Sequence, residues 1–453
     1  MAFTRRVPVY GSKPPCAYSS RLEERRQLIR NKRLERSRKS EKPDDFIVYH
    51  SSDEEEDEND ALNHQVLYSS NNFVDYVRAR EYRWKEYHTL NMNYGTRHAL
   101  SHDMLKEHPI TLDSNVNKIF CSAWLSHRQV VCGTKCNKLI VYDVLTKAVD
   151  QIPCLVGHRE NVGPEDHNGI HAVSINPSKS LIATGGKNAN EVGIYKLPTL
   201  DPAYIGEEAH NDSIFDIVWL DDQFLATCSR DSKVALWRVP EIEPASTEIP
   251  SYSSINPLVI KTCKHAQKAR AFAFNKPLSE LATLSLNGYI HIWNIERFKQ
   301  KLSSKLNSSQ EPVSLCVNET GSLYAVGCRT YALLIDSRCL QLVKKVTARH
   351  TGVRSTSFKS ELLTVGSGAG VIQFYDLRAQ KPLESGVNSR TVLLRTSRGY
   401  VNPEDEFIEN GMYCARYTPA IYTHCYDSSG MRLFCAGGPL STTLSGNYAS
   451  VWQ

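Results

Sequence analysis

From Lys118 onward the chain repeats one degenerate unit seven times, and that repetition constrains the fold more than any single motif. Each unit has a strand, a turn, a second strand, a tight turn rich in Gly, Asn or Asp, and a third strand. The first unit reads Ile119–Leu125, Val130–Gly133, Leu139–Asp143, and the second Ile170–Asn176, Leu181–Gly185, Val192–Tyr195. The third reads Ile214–Leu220, Phe224–Cys228, Val234–Trp237, and the fourth Ala269–Phe274, Leu281–Leu284, Tyr289–Trp293. The fifth reads Val313–Val317, Leu323–Gly327, Ala332–Asp336, and the sixth Val353–Phe358, Leu362–Gly366, Val371–Asp376. The seventh, Ile421–Tyr426, Leu433–Ala436, Tyr448–Trp452, stops with its third strand at the end of the chain.

Short-strand units of one layout leave fewest unpaired edges when arranged radially, which predicts an all-β, seven-bladed propeller over 108–453. A four-stranded seventh blade then lacks its outer strand. The segment Pro109–Leu112 is expected to supply it and close the ring. Spacing between units swells at 240–267 and 386–420, which reads as long inter-blade loops.

Ahead of the repeat, residues 1–72 are basic, most densely from Arg21 to Lys42, then acidic from Asp53 to Glu58. Such blocks repel themselves and bury little, so a disordered tail is expected. The basic run suits nuclear import or an acidic partner. Ser51 and Ser52 precede the acidic run as acidophilic kinase sites would. Over 73–107, Phe73, Val74, Tyr76, Val77, Tyr82 and Trp84 alternate with arginines at helical spacing. A break at Asn93–Gly95 precedes a second expected helix, His102–Glu107, with Ser101 as N-cap. This helix-loop-helix is either a cap on the main domain or a docking arm.

Composition removes several function classes. No stretch of eighteen apolar residues suggests a membrane span, and the N-terminus lacks a secretory pattern. The thirteen cysteines show no zinc spacing, and several sit inside apolar strands, as reduced cytosolic or nuclear thiols would. No glycine-rich phosphate loop, nucleophile elbow or HExxH helix is present, so neither catalysis nor a cofactor is expected. His158, His210, His265 and His350 recur before first strands, where a structural hydrogen-bond network is their expected role.

Propeller topology converts sequence position into face. First-strand starts and the turns between second and third strands lie on one rim, taken as the top. That rim collects Lys118, Lys135, Lys187, Arg230, Lys268, Arg270, Arg329 and Arg354, with His171 beside them, against few acids (Asp212, Asp231, Glu311). A concave mouth ringed by cations focuses its field on anions, and Arg grips a carboxylate through two hydrogen bonds. Few aromatics interleave for stacking on single-stranded nucleic acid. On the bottom rim, Ile335-Asp336-Ser337-Arg338 and Tyr375-Asp376-Leu377-Arg378 end two neighbouring units alike.

This paired Asp-x-Arg pattern resembles the adaptor-docking box of WD40 substrate receptors of cullin-4 RING ubiquitin ligases. The runs His127–Asn137, Tyr195–Pro202 and Tyr422–Gly430 are similar to one branch of that family, and the resemblance spans about residues 73–453. It implies that the arm (Phe73, Tyr76, Val77), with Asp376, Arg338 and Arg378, docks the large damaged-DNA-binding adaptor that bridges to cullin-4 and a RING protein. Ile335 and Tyr375 stand where the box usually has Trp. It further implies that Lys118, Lys135, Arg230, Lys268, Arg270 and Arg354 receive substrate proteins with acidic, Glu-ended C-termini. Expected partners are therefore the adaptor and acidic-tailed proteins in nucleus and cytoplasm, with neither membrane nor nucleic acid. The alternative is a non-catalytic scaffold that meets RNA or chromatin through Arg21–Lys42.

Overall fold

A computed structural model describes residues 93–158, 169–241, 252–306, 311–348, 352–405 and 417–453. Seven sheets, each with an antiparallel core of strands, form seven blades. The first strand of each blade neighbours that of the next, and the seventh (Ala420–Tyr426) returns to the first (Ile119–Trp124), so the ring is closed. Among the described residues, no helix is long and apolar enough to cross a membrane.

The burial of each strand follows its place in the sandwich of blades. Second strands such as Leu181–Gly185 and Leu362–Ser367, and third strands such as Leu139–Asp143, are buried along their whole length because a neighbouring blade covers each face. Outer strands such as Val149–Ile152 face solvent. Apolar clusters therefore lie between blades. One joins Leu181, Ala183 and Ile194 of blade 2 to Ile214, Trp219 and Trp237 of blade 3. Burying one such side chain contributes about 1.5–3 kcal/mol. The second strands end in small residues because the next first strand crosses there. A Cβ at Gly133 would strike Ile170, and one at Gly327 would strike Val353.

The blade 3 histidine supplies the polar network expected of it. His210 Nε2 and Trp237 Nε1 share the Thr227 hydroxyl, at 2.7 and 2.9 Å, while His210 Nδ1 lies 3.6 Å from Asp231. In blade 4, Trp293 bonds Thr283 at 3.0 Å, but Asn287 replaces the acid and bonds the His265 carbonyl. His265 stacks on Tyr289 instead, His158 meets Glu207 at 3.1 Å, and His350 lies outside the described residues.

Three sequence expectations change. The closing strand is Glu107–Pro109, paired with Ser450–Trp452, rather than Pro109–Leu112. Ile110 adds one backbone bond to Ala449, after which Leu112 and Val116 turn into the core, which ends the edge. The register is pinned by Glu107, whose carboxylate accepts the Tyr448 hydroxyl at 2.5 Å and the Ser397 N–H at 3.0 Å.

Second, the two expected inter-blade loops contain strands. Pro257–Thr262 is the outer strand of blade 3, and Ser253–Ile255 adds a parallel fifth strand to blade 2. Leu393–Arg395 and Lys381–Pro382 share the outer edge of blade 6, and Tyr400–Val401 joins Glu107–Pro109 on blade 7. Such pieces cover edges that would otherwise be open.

Third, the helix before the propeller is Asn93–Ser101, so Ser101 closes it rather than capping a later one. Thr96, Ala99 and Leu100 form its buried stripe against blades 6 and 7, and Asp103 at φ 52° stops the helix. The first expected helix and the tail lie outside the described residues.

Candidate functional site

The mouth of the central channel is built by one local device used repeatedly. In five blades the register between first and second strand slips by one residue. The slips fall between Ile119 and Cys121, Ile214 and Asp216, Ala269 and Ala271, Val353 and Ser355, and Ile421 and Thr423. A β-bulge leaves one residue unpaired and re-aims its side chain. The residues so freed are Phe120, Phe215, Arg270, Arg354 and Tyr422, and all five line a cavity of about 350 Å³. His171 and Val313, from blades 2 and 5, complete a ring with one residue from each blade.

This ring has an aromatic arc and a cationic arc. Phe120 stacks on His171 with centroids 4.7 Å apart, His171 meets Phe215 edge-on at 5.0 Å, and Tyr422 meets Phe120 at 5.6 Å. Arg270 lies over the Phe215 ring at 4.5 Å, a cation–π contact that fixes the guanidinium. Burial lowers its pKa, and Arg354 and Arg230 nearby lower it further. Arg354 keeps a buried Nε with no hydrogen-bond partner. Burial, with Arg270 and Arg230, pushes His171 down to about 3, so it is neutral at pH 7. Like charges facing each other in a partly desolvated cavity are costly without an anion between them.

Below the ring the lining turns polar. His424 is buried between Ser355 Oγ at 2.8 Å and Ser357 Oγ at 2.7 Å, and burial pushes its pKa down to about 4. Asp216 also lines the cavity, accepting the backbone N–H of Ile217 at 2.9 Å and of Phe272 at 2.7 Å.

Of the six expected basic residues, Arg270 and Arg354 converge on the cavity. Arg230 is half-exposed at 3.6 Å from Asp212, close enough for its charge to act on His171 and Arg270. Lys118 is buried and donates to the Ser441 carbonyl. Lys135 and Lys268 are half-buried, and neither they nor Lys118 and Arg230 line this cavity. Sequence reasoning missed Phe120, Phe215, Tyr422 and Asp216. The signal was present at the ring positions: each directly follows a buried apolar residue at the start of its blade's first strand, as Phe120 follows Ile119 and Tyr422 follows Ile421.

On the opposite rim Arg338 and Arg378 are exposed, their backbone N–H groups bonded to Asp336 at 2.8 Å and Asp376 at 2.9 Å. Asp376 itself is buried and pairs with Arg97 of the helix at 2.6 Å, so it holds the arm rather than facing outward. Phe73, Tyr76 and Val77 lie outside the described residues. Among the described residues no group of three His, Cys, Asp or Glu is arranged to hold a metal ion. Burial raises the pKa of Cys121, Cys132, Cys425 and Cys435, which disfavours their thiolates.

Comparison with known proteins agrees with this architecture. Over 173 residues, 37% of this chain, it is 25% identical to telomerase protein component 1 of Rattus norvegicus, covering 6% of that protein. Over 179 residues, again 37%, it is 22% identical to human coronin-2A, covering 33% of it. The chain thus spans a third or less of these relatives' lengths. Residues 101–453 match the family described as the DDB1- and CUL4-associated factor 12 β-propeller. The closed seven-bladed ring and this match across all its blades establish that the chain belongs to the DDB1- and CUL4-associated factor 12 propeller family.

Proposed function

We propose that this protein is a substrate receptor of a cullin-4 RING ubiquitin ligase, working in nucleus and cytoplasm, and that its top mouth captures acidic C-termini. Family membership supports the ligase role. The observation that carries the substrate class is the pair Arg270 and Arg354, re-aimed by matching bulges into one cavity, with Arg354 Nε unsatisfied. A chain end with a terminal carboxylate and an acidic side chain brings two anions close together, which suits two guanidinium groups. Arg338, Arg378 and the helical arm then face the adaptor. The receptor's task is to hold the substrate while the other ligase subunits perform ubiquitin transfer.

The test is titration of a fluorescent peptide ending in Glu-Glu, as free acid and as amide, against wild type, Arg270→Ala and Arg354→Ala. Removing one partner of a buried charge pair typically costs about 2–5 kcal/mol, so either substitution is expected to weaken the free acid at least thirtyfold or so. Equal affinity for acid and amide would overturn the reading. Co-purification of the adaptor should be lost in Arg338→Ala/Arg378→Ala and kept in the mouth variants.

A further inference from the structure

A cavity selected for anions contains a carboxylate of its own. Asp216 lies on the first strand of blade 3, immediately after the bulge at Phe215, and lines the same cavity as Arg270 and Arg354. It cannot readily swing aside. One oxygen accepts the N–H of Ile217 on its own strand, and the other accepts the N–H of Phe272 on the first strand of blade 4. The side chain therefore spans the seam between two blades, and only protonation can remove its charge.

We propose that Asp216 is a built-in counter-charge of the cationic mouth, and that capture of an acidic chain end is coupled to uptake of one proton by its carboxylate. This rests on the acidic-terminus reading above. In the empty mouth Asp216 offsets part of the positive field of Arg270. An arriving tail brings anions to the same guanidinium groups and would lie beside a fixed like charge. Two carboxylates sharing one site raise each other's affinity for a proton. The balance is simple: one proton from solvent joins Asp216, no covalent bond breaks, and the bound tail keeps its carboxylates ionised.

The groups around Asp216 leave it as the one poised to titrate. Arg270 faces it from blade 4, Cys228 from the second strand of its own blade, and Cys121 from blade 1. His171, Arg354, Tyr422 and His424 line the rest of the cavity. Burial raises both thiols and the Tyr422 phenol, and holds His171 near 3 and His424 near 4, so these groups are neutral at pH 7. Burial pushes Asp216 up to about 6, with the two N–H bonds and Arg270 pulling the other way. A further rise on ligand binding carries it through neutrality. The consequence is selectivity by acidity: the receptor holds its ligands more tightly as pH falls.

The experiment is calorimetric titration of the full-length protein with a Glu-Glu-ended peptide at pH 7.0 in phosphate and in Tris, with affinities followed from pH 8.0 to 6.0. Wild type is expected to show buffer-dependent heat reporting proton uptake, and a Kd that tightens by up to about tenfold per pH unit, the limit for one linked proton. Asp216→Asn should bind more tightly than wild type at pH 8.0 and lose both the uptake and the slope. His171→Gln should retain the uptake. Wild-type binding with no proton uptake overturns the proposal without any variant, and leaves the acidic-terminus reading intact. Uptake that survives in Asp216→Asn, or vanishes in His171→Gln, overturns it by placing the proton elsewhere. Absence of any peptide binding overturns both readings together.

Discussion

Arg97 Nη2 lies 2.6 Å from Asp376 Oδ2, so the helix ahead of the propeller is tied to the last residue of the third strand of blade 6. The carboxylate is buried while the guanidinium is half-exposed. Its other oxygen accepts the N–H groups of Arg378 and Ala379 at 2.9 and 3.0 Å. One side chain thus organises both the arm and the loop that presents Arg378.

Removing Arg97 leaves Asp376 with backbone donors alone. Arg97→Ala is expected to cost about 1 kcal/mol, the upper range for an ion pair whose guanidinium is half-exposed and screened by solvent. Hydrogen exchange should accelerate over 93–101 and around 376–379 while blades 1 to 3 stay protected. Uniform acceleration across all blades would contradict this local role.

The Thr227 hydroxyl serves two partners, whereas Thr283 has one such bond, from Trp293. Thr227→Val leaves His210 and Trp237 without that oxygen in a dry interior, and should destabilise by about 2–4 kcal/mol. Thr283→Val should cost about half as much. Urea unfolding of the two variants checks the ratio, and an equal loss would show that blade 3's fuller network adds nothing.

Ring closure depends on Glu107, which holds Ser397 and Tyr448 from two different stretches of chain. Glu107→Ala should loosen the outer edge of blade 7, speeding amide exchange in 446–452 and lowering stability by about 1.5–3 kcal/mol. Faster exchange confined to 397–401 would place the carboxylate's role in the loop alone.

The buried histidine His424 predicts acid sensitivity. Its pKa falls from 6.5 to about 4 on folding, so its contribution is fully present above pH 6.5 and is lost as pH drops through 4. A shift of that size corresponds to something on the order of 3 kcal/mol. Asp216 acts in the opposite sense, its folded value raised from 3.8 to about 6, so its ionisation disfavours the fold as pH rises through that window. Comparing wild type with His424→Gln at each pH cancels the Asp216 contribution. The difference in unfolding free energy should shrink between pH 6.5 and 4, and a constant difference would mean His424 does not titrate on unfolding.

Much of this molecule was legible in its sequence because strand alternation and turn residues are local properties. Ile119, Ile214 and Ile421 mark where first strands begin, and Trp237 and Trp293 where third strands end. Spacing alone therefore indicated seven blades, and counting charges by strand position picked Arg270 and Arg354 for the mouth. What spacing could not supply is direction. Lys118 and Arg270 each stand at a strand start, yet one ammonium is turned onto the Ser441 carbonyl and the other residue is swung by a bulge toward the axis. A bulge is a slip between two strands and exists only once they pair. Likewise, Glu107 became the closing residue and Asp216 a charge inside the mouth only when sequence-distant blades met. Local pattern decided which residues form strands, and tertiary pairing decided where each side chain points, because a one-residue change of register moves a side chain to the other face of its sheet.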